Sequence, residues 1–268
     1  MWTCPHCRLP LLATPDGASL ACDKRHTFDR AREGYVNLLP SNRKRSANPG
    51  DNPHMVAARA RVHAADAYAP MAAAMVAELS ALSVAGPVLD LGCGEGYYCG
   101  VLDQALPACA LYGVDISRAA VRLAARRCPA ADFAVASAFD LPLPDASLEV
   151  VLRVFAPSDD AQVLRVLRPG GFYLEICPAP GHLKEVRARL YDTPREHVEA
   201  REDVQGLQLV KRSRVQYPLA LDAELLSDLV SMTPFAFRGH REKRERLLRE
   251  ALPEVSMAFS LHLFQKAS

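Results

Sequence analysis

The sequence predicts an α/β fold with a doubly wound parallel sheet, preceded by a small N-terminal module that a metal ion stabilises. Three observations lead to this prediction. Strand-like and helix-like segments alternate over residues 83–180, as in parallel sheets with helices on both faces. A glycine-rich loop follows the apolar run 88–91, and a helical pattern begins directly after it. Two pairs of potential metal ligands lie near the N-terminus.

The size and charge of the chain limit its class. It has 268 residues, 50% of them hydrophobic, which suits one α/β domain with a small appendage. Its net charge of +1 means that any contact with nucleic acid must come from local patches. The sequence contains no apolar run of about 20 residues and no signal-peptide pattern. We therefore expect a cytoplasmic protein with no membrane partner.

The N-terminal module has the ligand spacing of a zinc ribbon. A Cys-x-x-Cys pair is followed, after a turn at 14–17, by a cysteine and a histidine three residues apart. Three thiolates and one imidazole suit Zn²⁺, and four protein ligands leave no open position, so the ion is expected to be structural. His6 is a rival ligand on the first turn. The predicted ligands are Cys4, Cys7, Cys22 and His26.

The chain is divided into three parts by composition. Residues 1–40 are assigned to the zinc ribbon, 41–54 to a basic linker rich in Pro, Gly, Asn and Ser, and 55–268 to the α/β domain. The alanine-rich stretch at 55–82 has helical spacing, and Pro70 is predicted to split it into two helices.

Later segments are less regular. A helix with a basic face is predicted over 118–127, and another helix over 243–252. Residues 181–240 show little periodicity and are expected to hold insertions on the substrate side. Residues 255–264 alternate as a strand, which we expect to pair antiparallel at the sheet edge.

The glycine loop indicates which ligand the domain binds. Gly92, Gly94 and Gly96 form G-x-G-x-G, whereas a dinucleotide fingerprint needs G-x-G-x-x-G, and Tyr97 stands where that third glycine would be. This spacing disfavours a nicotinamide oxidoreductase. Asp115 ends the next apolar run roughly 20 residues beyond the loop, where a carboxylate can hold two ribose hydroxyls.

The stretch VLDLGCGEGYY at 88–98 resembles motif I of the class I S-adenosylmethionine (SAM)-dependent methyltransferases, and LRPGGFYLEI at 167–176 resembles a later turn and strand of that family. The resemblance implies a Rossmann-like domain that binds SAM. It places Asp115 at the ribose, and Ser137, in place of the usual acid, with Ala138 at the adenine. The remaining implied cofactor contacts around the loop are Asp90, Gly92, Gly94, Glu95 and Gly96.

A narrower resemblance covers essentially the whole chain. The cysteine module, FDRAREGYVNLLP at 28–40, NPGD at 48–51, MTPFAF at 232–237 and HLFQK at 262–266 resemble, in that order, the bacterial 23S rRNA (guanine-N1)-methyltransferases. The resemblance implies SAM-dependent methylation of a guanine in a hairpin of the large-subunit RNA. One branch of the family confers resistance to macrolides such as tylosin. Tyr68 and His182 match family positions that contact SAM.

Methylation of guanine N1 requires removal of its proton, so a nearby base would help. His182, Asp159 and Asp160 are candidates, and the sequence does not decide among them. Enzymes that methylate exocyclic amines carry an Asn/Asp-Pro-Pro-aromatic loop after the fourth strand. Here the corresponding residues, 153–157, read RVFAP, which favours a ring nitrogen as the acceptor.

Contact with RNA phosphates is predicted mainly in the linker, where Arg43, Lys44 and Arg45 form a basic cluster. Further basic clusters lie at 211–214 and 238–249, and possible stacking residues are Tyr35, Phe235 and Phe237. The sequence leaves open whether the chain forms a homodimer.

Two other functions remain open at this point. One is a SAM-dependent methyltransferase that acts on another RNA or on a small molecule. The other is a zinc-ribbon RNA-binding protein without catalytic activity, which the intact glycine loop and Asp115 disfavour.

Overall fold

The computed structural model describes residues 1–40, 50–233, 241–250 and 252–268, and contains two sheets. The small N-terminal sheet is antiparallel, in the order β1-β2-β3. Its strands are β1 (Leu12–Ala13), β2 (Ser19–Ala21) and β3 (Thr27–Asp29). The predicted zinc ligands lie outside these strands, in the turn before β1 and in the turn between β2 and β3.

The large sheet has eight strands in the order β10-β11-β9-β8-β5-β6-β7-β4. Neighbouring strands from β9 to β4 are parallel, whereas β11 is antiparallel to both β9 and β10. The strands are β4 (Val36–Asn37), β5 (Val88–Leu91), β6 (Leu111–Asp115), β7 (Asp132–Val135), β8 (Leu148–Val154), β9 (Leu167–Pro178), β10 (Leu207–Ala220) and β11 (Glu254–Lys266).

The described helices pack against this sheet and against one another. They are α1 (Pro53–Ala64), α2 (Ala69–Ser80), α3 (Tyr97–Ala105), α4 (Arg118–Arg127), α5 (Asp160–Val166), α6 (Lys184–Leu190), α7 (Ala223–Ser231) and α8 (Arg241–Glu250). Every residue of β5 is buried, as expected for a central parallel strand that is covered on both faces. The predicted α/β class and the doubly wound parallel core are therefore confirmed.

Several helix predictions are confirmed in detail. The stretch at 55–82 forms α1 and α2, and Pro70 lies in the first turn of α2, where a missing N–H leaves no hydrogen bond unmade. Helix α4 coincides with the predicted basic helix. Two arginines on its exposed face, Arg122 and Arg126, contact Glu33 of the ribbon at 2.9 and 2.8 Å.

The antiparallel half of the sheet differs from the sequence prediction. The strand predicted at 255–264 exists as β11, but it lies inside the sheet because β10 pairs with its outer side. Strand β10 falls in the segment that was expected to hold insertions. A charged run and a register shift between Leu209 and Lys211 interrupt its alternation. Lys211 pairs with Glu78 at 2.9 Å and Arg214 with Glu199 at 3.5 Å, so both side chains stay at the surface of the strand.

The zinc ribbon and the larger domain share one hydrophobic core. Trp2 packs edge-on against Tyr112 with ring centroids 5.6 Å apart, and the amide of Thr3 donates to the carbonyl of Pro142 at 2.9 Å. Strand β4 pairs in parallel with β7, so residues before position 40 belong to the large sheet. The division at residues 40 and 54 stays a prediction. No helix in the described ranges is long and apolar enough to cross a membrane.

Candidate metal centre and cofactor cavity

The predicted zinc ligands come together. One ligand atom from each of Cys4, Cys7, Cys22 and His26 lies within 4.8 Å of the others. The Sγ atoms of Cys7 and Cys22 are 3.6 Å apart, and His26 Nδ1 is 3.3 Å from Cys4 Sγ. Ligand atoms held about 2.3 Å from a tetrahedral ion are separated by about 3.8 Å, so this donor set fits one Zn²⁺.

The rival ligand His6 does not join the cluster. Its ring stacks on Phe28 with centroids 6.0 Å apart and leans on His26 at 5.2 Å. His6 is therefore an aromatic neighbour of His26, and the group that could hold the metal ion consists of Cys4, Cys7, Cys22 and His26.

A second site is a cavity of about 580 Å³ at the carboxyl ends of β5, β6 and β8, in the size range of small-molecule sites. This is where parallel doubly wound sheets bind their ligands. Six of the residues predicted to bind the cofactor line it: Tyr68, Gly92, Gly94, Glu95, Asp115 and His182. The other four, which are Asp90, Gly96, Ser137 and Ala138, lie outside its lining.

The three loop glycines have different physical roles. A Cβ on Gly92 would lie 2.2 Å from Ala156 Cβ, and one on Gly96 would lie 2.7 Å from Ala124 Cα, so both positions permit close packing of the loop. Gly94 instead lines the cavity, and a Cβ added there would meet only Arg59 Nη1, at 3.8 Å. All three have positive φ, which suits glycine.

Asp115 closes the loop from the end of β6. Its Oδ2 accepts from the amide of Gly94 at 3.0 Å, and its Oδ1 accepts from the amide of Ser117 at 2.7 Å. Burial raises its pKa, and these two amides oppose that rise. The carboxylate thus holds the loop in shape while it lines the cavity, where it can accept from ribose hydroxyls.

Asp90 belongs to β5, two residues before the first glycine of the loop. It is buried, and burial raises its pKa to about 7. Cys99 Sγ donates to its Oδ2 at 3.3 Å, while Oδ1 has no partner among the described atoms. The hydrogen bond therefore ties Asp90 to α3, the helix that follows the loop.

Sequence reasoning missed a pair of residues from α1 that line the cavity. His63 Nδ1 lies 2.6 Å from Glu95 Oε1, and its ring stacks on Tyr97 with centroids 4.2 Å apart. Burial opposes ionisation of Glu95, but the hydrogen bond with His63 lowers its pKa below the ordinary value. Arg59, one turn earlier, pairs with Asp51 and donates to the carbonyl of Met232 at 3.2 Å. Only helical packing brings these groups to the loop.

The three candidate bases occupy different surroundings. His182 lines the cavity, and its Nδ1 accepts from the amide of Ala258 at 3.2 Å, so the neutral ring carries its proton on Nε2. Burial, then His197 and Arg187, lower its pKa to about 3. Asp159 caps α5, accepting from the amide of Ala161 at 3.0 Å, and Asp160 pairs with Arg201 at 2.7 Å. Neither aspartate is part of the lining.

Of the residues predicted to contact RNA, few can be placed. Arg43, Lys44, Arg45, Phe235 and Phe237 lie outside the described residues. Tyr35 is buried, and its hydroxyl accepts from Arg118 at 3.2 Å, so it is a core residue. Two arginines of α8 pair with glutamates of the same helix: Arg241 with Glu245 at 2.7 Å and Arg246 with Glu250 at 2.5 Å.

The parallel sheet, the G-x-G-x-G loop under a cavity and the four-ligand metal cluster define a class I SAM-dependent methyltransferase that carries a zinc ribbon. Family models agree with this class. Residues 2–47 match the model described as "RlmA, N-terminal" zinc ribbon, and residues 88–171 match the methyltransferase domain model. Its cofactors are SAM and one zinc ion.

Full-length relatives define the family more narrowly. The chain is 37% identical over 261 residues to the 23S rRNA (guanine(748)-N(1))-methyltransferase of Streptomyces fradiae, covering 94% of this chain and 91% of that protein. It is 31% identical to the Bacillus subtilis protein YxjB, named as a candidate enzyme of the same kind, over 93% and 91% of the two chains. The chain belongs to the 23S rRNA (guanine-N1)-methyltransferase family.

Solved structures show the same fold at low sequence identity. A chain from the complex of the Haloferax volcanii Trm112 methyltransferase activator with a methyltransferase superposes with a TM-score of 0.52. It is 19% identical, and the match covers 82% of this chain and 99% of that one. This likeness supports the fold alone.

Proposed function

We propose that this chain transfers a methyl group from SAM to N1 of a guanine in a hairpin loop of 23S ribosomal RNA. The observation that carries the proposal is the presence of the G-x-G-x-G cavity and the zinc cluster on one chain that aligns with the Streptomyces fradiae enzyme over 94% of its length. Guanine 748, which that enzyme's name specifies, is the first position to test. Such a substrate also places the enzyme in the cytoplasm, with the ribosome.

Different residues of the cavity are assigned to different parts of the cofactor. When bound, SAM supplies a methyl group on a sulfonium, which a correctly aligned nucleophile can take without covalent help from the protein. We assign the ribose to Asp115, and the methionine moiety to the bare backbone at Gly94 with Tyr68 beside it. Outside the cavity lining, Gly96 lets the loop pack closely against α4. Asp90 stays a proposed cofactor contact, and Ser137 and Ala138 stay proposed adenine contacts.

His182 acts in this proposal as a hydrogen-bond donor. With Nδ1 occupied and its pKa near 3, the ring is neutral at pH 7, and Nε2–H can donate to a carboxylate such as that of methionine. A group this weakly basic removes the N1 proton poorly. The ion pair of Asp160 and the capping bond of Asp159 also argue against those two as bases.

We propose that the four-ligand cluster binds a structural zinc ion, and that Arg43, Lys44 and Arg45 contact RNA phosphates. Replacing all three basic residues by alanine should weaken RNA binding and flatten its dependence on salt concentration. Unchanged affinity at moderate salt would exclude these three residues as phosphate contacts.

Homodimerisation also stays a proposal, and sedimentation velocity at several concentrations tests it.

Mapping of the modified base tests the proposed function. Large-subunit RNA from strains with and without this gene is digested and analysed by mass spectrometry and by primer extension, which stops at 1-methylguanine. We expect one additional 1-methylguanine in the strain that carries the gene, and none when Asp115 is replaced by alanine. Identical modification in both strains would contradict an rRNA substrate.

A further inference from the structure

Phe155 is an exposed aromatic residue inside the cofactor cavity. Its side chain is 39% exposed, whereas Val154 before it is 6% exposed and the neighbouring Tyr68 is 2% exposed. Among the large apolar side chains that are exposed in the described ranges, it is the one that lines this cavity. Phe155 therefore presents an open aromatic surface to the cavity, where a bound molecule can contact it.

The backbone at Phe155 is strained. Its φ is +56°, a conformation that L side chains other than Asn and Asp rarely adopt. Two contacts hold it there: the amide of Phe155 donates to the carbonyl of Ile176 at 3.1 Å, and Ala156 is packed tightly against Gly92. Such strain persists where the surroundings impose it, and it concentrates at functional sites.

Two buried rings support Phe155 from behind. Phe259 lies 5.6 Å from it between centroids with the planes tilted by 31°, and Tyr68 meets it edge-on at 6.1 Å. Because both neighbours are buried, the ring has little freedom to turn and offers its open surface to the cavity. This is the arrangement of a stacking platform.

The position of Phe155 in the sheet indicates which substrate it faces. The order β8-β5-β6 puts the glycine loop at the end of β5, with Asp115 on one side and Phe155 on the other. We have assigned the cofactor to the loop and to Asp115. The side of the loop at β8 is therefore where the methyl acceptor enters.

We propose that Phe155 stacks on the target guanine after that base has left its RNA stack. The inference rests on the proposed function and adds the residue that recognises the acceptor. Enzymes that modify bases commonly take the base out of its stack and hold it against aromatic side chains. A stack positions the purine plane so that its N1 edge faces the methyl group, and it requires no charge on the protein.

Four variants separate stacking from bulk and from strain. F155A removes the ring, F155L keeps most of the apolar volume without a π face, F155Y keeps the ring, and F155G removes the ring and relieves the positive φ. SAM affinity is measured by calorimetry for each, and methylation kinetics are measured on a 23S hairpin fragment. The fragment is chosen after wild-type enzyme has been shown to methylate it, so failure of the proposed function is detected first.

We expect F155A, F155L and F155G to bind SAM within about threefold of wild type. Their kcat/KM for RNA should fall on the order of 10- to 100-fold, the effect of losing one base–aromatic stack. F155Y should stay close to wild type. With 2-aminopurine at the target position, binding of wild-type protein should leave the fluorescence quenched by stacking, and F155L should give a brighter complex.

Two results would overturn the inference. One is methylation by F155L at the wild-type kcat/KM, which would mean that the ring contributes apolar volume and no stacking. The other is a loss of SAM affinity in F155A and F155L equal to their loss of activity, which would assign the ring to the cofactor.

Discussion

The metal cluster and the cofactor cavity differ in the distance along the chain over which they are assembled. The four metal ligands all lie between residues 4 and 26, on two short hairpin corners. The cavity lining runs from Gly50 to Thr233 and draws on strand ends, on α1 and on loops. Local spacing is therefore enough to specify the cluster, whereas the cavity depends on the packing of the whole domain.

The largest effect is expected from loss of the metal ion. A ribbon of this size has little core of its own, and structural zinc contributes about 10 kcal/mol or more to such modules. C22S should lose zinc and leave strands β1 to β3 unprotected in hydrogen exchange. Because no ribbon residue lines the cavity, SAM affinity should change by less than about threefold.

C109S is the matched control for that experiment. Cys109 is a half-buried cysteine far from the cluster, with its thiol donating to the carbonyl of Val84 at 3.5 Å. It should keep a full equivalent of zinc. A C22S protein that retains one zinc ion and a protected ribbon would mean that the cluster is not assembled as described.

The next largest effect concerns the pair that joins α1 to the glycine loop. Removing His63 leaves the buried carboxylate of Glu95 without its partner, which costs about 3 kcal/mol in comparable buried pairs. Urea unfolding of H63A, E95A and the double variant measures the coupling energy. We expect the double variant to be destabilised by less than the sum of the single variants, and purely additive effects would show that the pair does not support the loop.

A smaller effect, visible only at low pH, is expected from His182. Its folded-state pKa of about 3 lies below the unfolded value near 6.5, so the unfolded chain binds more protons between these values. The stability that comes from burying the neutral ring is complete above about pH 6.5 and is lost as the pH falls toward 3. Between pH 7 and 4.5 the loss should be on the order of 2 kcal/mol.

H182Q should lack that component, so its free energy of unfolding should fall less steeply with acid than that of the wild type. H54Q, which changes an exposed histidine of α1 outside the cavity, is the matched control. Parallel curves for wild type and H182Q would mean that the ring becomes protonated in the folded state near its ordinary pKa.

The smallest effect is expected at the contact between the zinc ribbon and the larger domain. Arg8 of the ribbon pairs with Asp140 of the larger domain, but the arginine side chain is 48% exposed. Exposed pairs of this kind contribute about 0.2–1 kcal/mol and weaken with salt. R8A should therefore change the midpoint of thermal unfolding by only a few degrees, since the shared core around Trp2 stays intact. A larger fall in the unfolding midpoint would show that the charge pair, rather than the shared core, holds the ribbon against the larger domain.

Several elements could be predicted because their signals are local. The apolar run before the glycine loop and the helix after it are specified within a few residues. The same holds for the break near Pro70 and for the metal-ligand spacing. Strand β10 was missed because its charged run conceals a surface strand, which is stable only when it pairs with β11. For the same reason β11 was expected at the sheet edge.

The sequence by itself determined the class of cofactor, the metal ligands and the family, because glycine spacing, ligand spacing and the order of motifs are properties of the linear chain. Only the tertiary structure decided that His63 and Arg59 reach the loop, that His182 is held as a donor, and that Phe155 is open to the acceptor. These properties arise where segments far apart in the chain pack together. Burial, tautomer and exposure depend on neighbours that no local pattern specifies.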